Sequence, residues 1–250
     1  MNALFIPHAG KPYAGECRLS AFSQIKKPAS VKYIIYIATL HHINDTDTIV
    51  ELYRDTGFPE MRSKKTKKKT TTTGLQTITE DAHHGGTSYT PEHSFEWVRE
   101  ELQEHFPNAK ILAVAPNGGV KARLSRWIGG FVKRHRQTLV IGTTDLIHYG
   151  ERFGNIGSLG PDIQRSKKQI EQEFISLLTA KQPSIPKIQA FIQKQQRRKP
   201  AIACGSKAVI ELMKVVKALR LTGVLVDTYD SSRYETNKDS FVSYASIVFS

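Results

Sequence analysis

Nine histidines and two cysteines give this 250-residue sequence its best metal-binding side chains, and several of them close apolar runs. LFIPHAG at 4–10 breaks at Pro7 and His8, YIIYIATLHH at 33–42 ends in His41 and His42, and TLVIGTTDLIH at 138–148 ends through Asp145 in His148. Cys204, in AIACGSKAVIEL, precedes Gly205 and a helical pattern, where amide donors and the helix dipole favour thiolate over thiol. Two imidazoles and a thiolate suit Fe(II), copper or zinc and leave a position open for substrate or oxygen. Taken singly, each histidine fits a hydrogen-bonded loop residue, and the cysteine fits a small buried apolar group. Recurrence at three run ends is what points to one shared site.

Such a site needs strands that end together. Val-, Ile- and Tyr-rich runs at 3–6, 33–40, 111–115, 138–143, 224–229 and 241–249 read as strands. Helical spacing falls between them. TPEHSFEWVREELQEHF at 90–106 has Thr90 as N-cap and Pro91 at the first position, with Phe95, Val98, Leu102 and Phe106 on one face. Residues 118–136 turn Leu124, Trp127, Ile128 and Phe131 inward, 161–180 do the same with Ile163, Ile170, Phe174 and Leu177, and 206–220 form a further helix. This alternation predicts one layered α/β domain over 1–250, with a mixed, largely parallel central sheet flanked by helices and FVSYASIVF as an antiparallel strand. In open α/β sheets ligands gather at the carboxyl ends of the strands, which is where His8, His42 and His148 fall. Residues 56–89 carry little apolar content and read as a long mobile basic loop.

The net charge of +13 is concentrated. RSKKTKKK at 62–69 holds six basic residues and KQQRRK at 194–199 holds four, and setting these aside leaves +3. Any nucleic-acid contact is therefore expected only through those two segments. No run approaches the roughly 18 apolar residues of a membrane span, and no secretory signal opens the chain. The expectation is a cytoplasmic protein with reduced cysteines, the KKTKKK run leaving nuclear entry open.

The segments PHAGKPYAG, HH at 41–42, EHSFEW at 92–97, TTDLIHYGERF at 143–153, CGSKAVIEL at 204–212 and FVSYAS at 241–246 resemble the Memo family in order and separation, over nearly the whole chain. Memo proteins are similar in fold to class III extradiol dioxygenases, which use non-haem iron. Carried over by position, the resemblance implies His8, His42 and Cys204 as metal ligands, with Fe(II) foremost and copper or zinc as alternatives. It implies His148 and His93 as acid and base candidates, Asp145 and Glu92 as residues that orient them, and His41 beside the ligands. Tyr229 and Ser231 stand as pocket residues on a partial match of TYDSSRYE. Lys11 departs from the family, which usually has an aromatic residue there.

Two functions follow from the resemblance. One is a metal-dependent oxidoreductase acting on a small molecule, where a thiolate in place of the dioxygenases' carboxylate means that ring cleavage need not carry over. The other is a signalling adaptor that binds phosphotyrosine-type peptides in the same pocket.

Overall fold

The first and last apolar runs of the chain lie side by side, and the strands that carry the candidate ligands lie next to them. A computed structural model describes residues 2–41, 49–59, 75–77, 92–116, 123–154, 161–197, 202–235 and 239–250. Its strands are β1 (Asn2–Ile6), β2 (Tyr33–Ile37), β3 (Ile49–Arg54), β4 (Leu75–Thr77), β5 (Lys110–Pro116), β6 (Thr138–Thr143), β7 (His148–Tyr149), β8 (Gly223–Asp230) and β9 (Phe241–Phe249). Its helices are α1 (Lys11–Phe22), α2 (His93–His105), α3 (Arg123–Arg134), α4 (Pro161–Thr179), α5 (Ile185–Gln196) and α6 (Ser206–Leu219). The sheet runs β4-β3-β5-β2-β6-β1-β9-β7, with β8 paired to β9. Its centre, β5-β2-β6-β1, is parallel, while β3 and β9 join it antiparallel. The protein is thus a single α/β domain with a mixed central sheet flanked by six helices among the described residues.

The central strands are apolar on both faces because both faces are covered. Leu4, Ile6, Ile34, Tyr36, Ile111, Ala113, Leu139 and Ile141 meet Phe22 of α1 and Phe95, Val98 and Leu102 of α2. The alternate residues Ala3, Phe5, Ile35, Ile37, Leu112, Val114 and Val140 meet α3, α4, α5 and α6. This period-two division of a continuous apolar run is what a parallel sheet between two helical layers requires. Helix α6 comes closest: a Cβ on Gly142 of β6 would stand 2.8 Å from the Leu212 side chain. Shortening that buried leucine to alanine would cost about 2–5 kcal/mol.

Six elements depart from the sequence reading. Helix α2 begins at His93 with Glu92 as its N-cap, the carboxylate accepting from the Ser94 amide at 3.2 Å, whereas Thr90 and Pro91 lie outside the described residues. Strand β2 stops at Ile37, short of residue 40. The expected loop at 56–89 contains β4, which pairs in parallel with the unanticipated β3; its basic segment 62–69 lies outside the described residues. Helices α1 and α5 were likewise unanticipated. No described helix is long and apolar enough to cross a membrane.

Candidate metal centre

Three chain segments bring ligand atoms to the carboxyl ends of the parallel strands. The first leaves β1 through Pro7 and His8. The His8 amide donates to Asp145 Oδ1 at 2.9 Å and the Ala9 amide to the same oxygen at 3.3 Å, so the loop after β6 holds the loop after β1. From the other side, Arg18 of α1, fully buried, donates to the carbonyl of Ala9 at 2.6 Å and to that of Pro7 at 3.5 Å. Its remaining donors meet the Glu101 carboxylate of α2 at 2.9 and 2.5 Å, a bidentate pair that neutralises the buried cation.

The second segment is the turn into α6. Ala203 takes a left-handed conformation at φ 58° just before Cys204. Such a backbone costs an L-residue roughly 1–2 kcal/mol. Gly205 then passes against the chain leaving β2 and the end of β6 so closely that a Cβ there would stand 2.2 Å from Thr39 Oγ1 and 2.4 Å from the Thr143 carbonyl. Only glycine fits this position. The Gly205 amide donates to Thr144 Oγ1 at 2.7 Å, so that amide, which the sequence suggested as a partner for sulfur, is engaged elsewhere.

Sulfur is instead surrounded by imidazoles. Cys204 Sγ lies 3.4 Å from His8 Nε2 and 3.5 Å from Thr144 Oγ1. Hydrogen bonding fixes which nitrogen of His8 faces it. Thr143 Oγ1 gives its hydrogen to the Ile6 carbonyl at 3.0 Å, so at 3.2 Å from His8 Nδ1 it must accept, leaving the lone pair of the neutral ring on Nε2. His41 is arranged alike: Nδ1 meets Glu92 Oε1 at 2.8 Å, and the backbone amide of His41 donates to Oε2 at 3.0 Å. An imidazole whose one nitrogen is tied to a carboxylate presents the other as a metal ligand. Ligand atoms of His8, His41 and Cys204 all lie within 4.8 Å of one another. Around a tetrahedral ion with bonds of about 2.0–2.3 Å, neighbouring donors stand roughly 3.3–3.7 Å apart, and the Cys204–His8 separation already falls there.

The other expected residues adjoin this group. His93 stacks on His41 with ring centres 4.1 Å apart and lies 3.5 Å from Glu92. Asp145 Oδ2 stands 3.7 Å from Nε2 of both His8 and His148. Asp145, His148 and Cys204 form a second compact ligand group, and His41, Glu92 and His93 a third. His42 lies outside the described residues. Tyr229 and Ser231 are engaged in packing against α1 and β9: the Tyr229 hydroxyl accepts from the Cys17 amide at 3.0 Å, and Ser231 Oγ accepts from the Val242 amide at 3.0 Å. Arg18, Thr143 and Thr144 were not singled out in the sequence; the two threonines stood in a quoted motif, while Arg18 carried no signal at all.

The charges of the metal-free cluster follow from this geometry. Burial opposes a thiolate at Cys204, but the His8 charge and hydrogen bonds from His148, His41 and His8 outweigh it and hold the thiol well below its usual value. Burial likewise opposes a charge on His148, yet Asp145 and Cys204 raise it to about 10. Asp145 is held below the ordinary carboxyl range against burial, chiefly by the charge of His8 and its bond with His148.

A family model for Memo-like protein matches residues 1–248. The chain belongs to the Memo-like protein family. Among solved structures, it is similar to the crystal structure of an uncharacterized protein from Escherichia coli K12, at 13% identity over 100% of each chain and a TM-score of 0.47. Comparison with curated proteins returns no match. In this Memo-like protein five of the six segments that carried the resemblance, all but FVSYAS, bring side chains to one cluster, where His8, His41 and Cys204 form a group able to hold a metal ion.

Proposed function

We propose that this Memo-like protein is a metal-dependent oxidoreductase acting on a small molecule or on oxygen. His8, Cys204 and an imidazole of the His41–His42 pair would hold one iron or copper ion. The observation that carries this reading is the convergence of His8 Nε2 and Cys204 Sγ at 3.4 Å, with Thr143 fixing the ring so that its lone pair faces the sulfur. A thiolate with two imidazoles favours copper, iron or zinc over hard cations. When bound, iron or copper supplies one-electron chemistry and a free position for a small ligand.

The chain's own groups do the rest. Asp145 fixes the His8 loop through two amides and orients His148, whose Nε2 would give or take a proton at the crevice. His93 is the second proton carrier, held against His41 and Glu92. Arg18 fixes the carbonyls on either side of His8. The reduced thiol that this site needs belongs in the cytoplasm or nucleus.

The adaptor reading draws less support. Arg152, beside the Phe153 ring that contacts His148, is paired with Glu235 at 3.0 Å, and Arg233 lies over Tyr229. Oxygen uptake separates the two readings. Protein loaded anaerobically with Fe(II) or Cu(I) is mixed with oxygen and ascorbate. Uptake by wild type that disappears in Cys204→Ala is the expected result. No uptake, together with phosphotyrosine-peptide binding that survives Cys204→Ala, would assign the crevice to an adaptor.

A further inference from the structure

The opposite end of the sheet has a different chemistry. Where β1, β2 and β6 begin, a groove of about 710 Å³ opens between the segment after α1, the α3–β6 turn and the start of edge strand β8. Lys26, Lys27 and Arg136 line it. Lys32 adjoins it, its amide donating to the Gln137 carbonyl at 2.8 Å, and Lys133 and Arg134 end α3 just before the turn. All six cations are exposed. None makes an ion pair among the described residues. The reason is in the sequence: 1–6, 23–33, 118–139, 221–226 and 246–250 contain no acidic residue. The first acid along β8 is Asp227, which accepts from Ser20 Oγ at 3.1 Å.

Beside the cations runs an aliphatic edge. Val224 is 62% and Leu225 38% exposed, on a strand that among the described residues pairs along one side only, with β9. Val224, Val226 and Val248 border the groove itself. Among the described residues no aromatic ring lines it, so they offer no stacking platform of the kind on which single-stranded nucleic acids are held. A field of unpaired cations next to exposed branched aliphatic side chains fits a surface that is anionic at its face and apolar just beneath, which is a bilayer rich in acidic lipid.

We infer that this end of the protein docks on anionic membrane surfaces, with Lys26, Lys27, Lys32, Lys133, Arg134 and Arg136 facing the headgroups and Val224 and Val226 pressed between them. Docking in this way leaves the His and Cys crevice, at the other end of the strands, turned toward solution. The inference is independent of the metal reading, because no residue is shared.

Co-sedimentation of the full chain with phosphatidylcholine vesicles containing about a quarter phosphatidylserine tests it, against vesicles of phosphatidylcholine alone. Each cation near such a surface is worth about fivefold in partitioning, so Lys26→Gln/Lys27→Gln/Arg136→Gln is expected to weaken binding about a hundredfold. Val224→Asp is expected to weaken it further, and Lys181→Gln/Lys187→Gln, at positions that do not line the groove, to leave it unchanged. All these positions are partly or fully exposed, and circular dichroism checks that each variant folds. Equal binding to both vesicle types, or anionic binding that survives the triple variant and is lost only when 64–69 are neutralised, would overturn the inference. So would tight RNA binding by the groove without vesicle binding.

Discussion

The two cysteines of this protein sit in opposite surroundings. Cys17, on α1, is buried beside Ala14, Tyr229, Val242 and Tyr244. Its sulfur lies 3.1 Å from Ser246 Oγ, but that hydroxyl donates to the carbonyl of Cys17, so the sulfur can only be the donor and must keep its proton. Burial pushes the thiol up to about 12. Cys204 lies at an exposed turn, yet its sulfur faces imidazoles of His8, His41 and His148 that draw it to thiolate. One element, sulfur, thus serves as a small apolar filler in one place and, in the other, stands in a His and Cys group able to hold a metal ion. What differs is whether the neighbours offer positive charge or only a filled acceptor.

The largest expected effect sharpens that contrast directly. In metal-free protein at pH 7, iodoacetamide should label Cys204 at least about a thousandfold faster than Cys17, because only the thiolate reacts and Cys17 is almost wholly protonated. Peptide mass mapping over time reads both rates. Comparable labelling would mean that the two environments are not distinct.

Next in size is a substitution that connects the two regions. Arg18 follows Cys17 in sequence but holds the His8 loop, so it belongs to both. Arg18→Met would strand Glu101 as an unpaired buried charge and should cost about 3–5 kcal/mol in urea unfolding. Arg18→Met/Glu101→Leu, which removes both charges, should recover most of that stability while leaving the carbonyls of Pro7 and Ala9 without their donor. A double variant no more stable than the single one would show that the loop contacts, rather than the charge pair, hold α1 in place.

These residues also mark the limits of what the sequence shows. His8, Asp145, His148 and Cys204 were legible because each interrupts or follows an apolar run whose strand or helix character is plain. Helix α1 was not, because its buried face consists of Ala14, Cys17, Arg18 and Ala21, with the one large apolar residue, Phe22, only at its end. Small residues and one arginine draw no apolar stripe, and the burial of Arg18 depends on Glu101, 83 positions away. Strand β3 reads IVELYR, and Glu51 is accommodated by Arg54 at a position where the pattern suggests solvent. The second imidazole was legible only as a pair: sequence and family favoured His42, whereas among the described residues His41 joins His8 and Cys204.

The smallest effect concerns pH. Burial opposes charge on both His41 and Glu92, but hydrogen bonds from His41 hold Glu92 at about 2, and Cys204 together with Glu92 raises His41 to about 9, against ordinary values of 4.5 and 6.5. A depressed carboxyl adds stability that is present above pH 4.5 and is lost as pH falls toward 2. A raised imidazole adds stability that is present below 6.5 and is lost as pH rises through 9. The margin of metal-free wild type over Glu92→Gln in thermal unfolding should therefore be widest between pH 4.5 and 6.5 and shrink on either side. A margin that is flat with pH would show that the pair adds nothing to the fold.

The central claim, that Cys204 and not Cys17 is a ligand beside His8, is tested most directly by metal content. Wild type, Cys17→Ala, Cys204→Ala, His8→Ala, His41→Ala and His42→Ala would be loaded anaerobically with Fe(II) or Cu(I), passed through a desalting column and analysed for bound metal. About one ion per chain is expected in wild type and Cys17→Ala, with loss in Cys204→Ala, in His8→Ala and in one of the two His41 and His42 variants. Full loading of a folded Cys204→Ala, or none in wild type, would contradict the account.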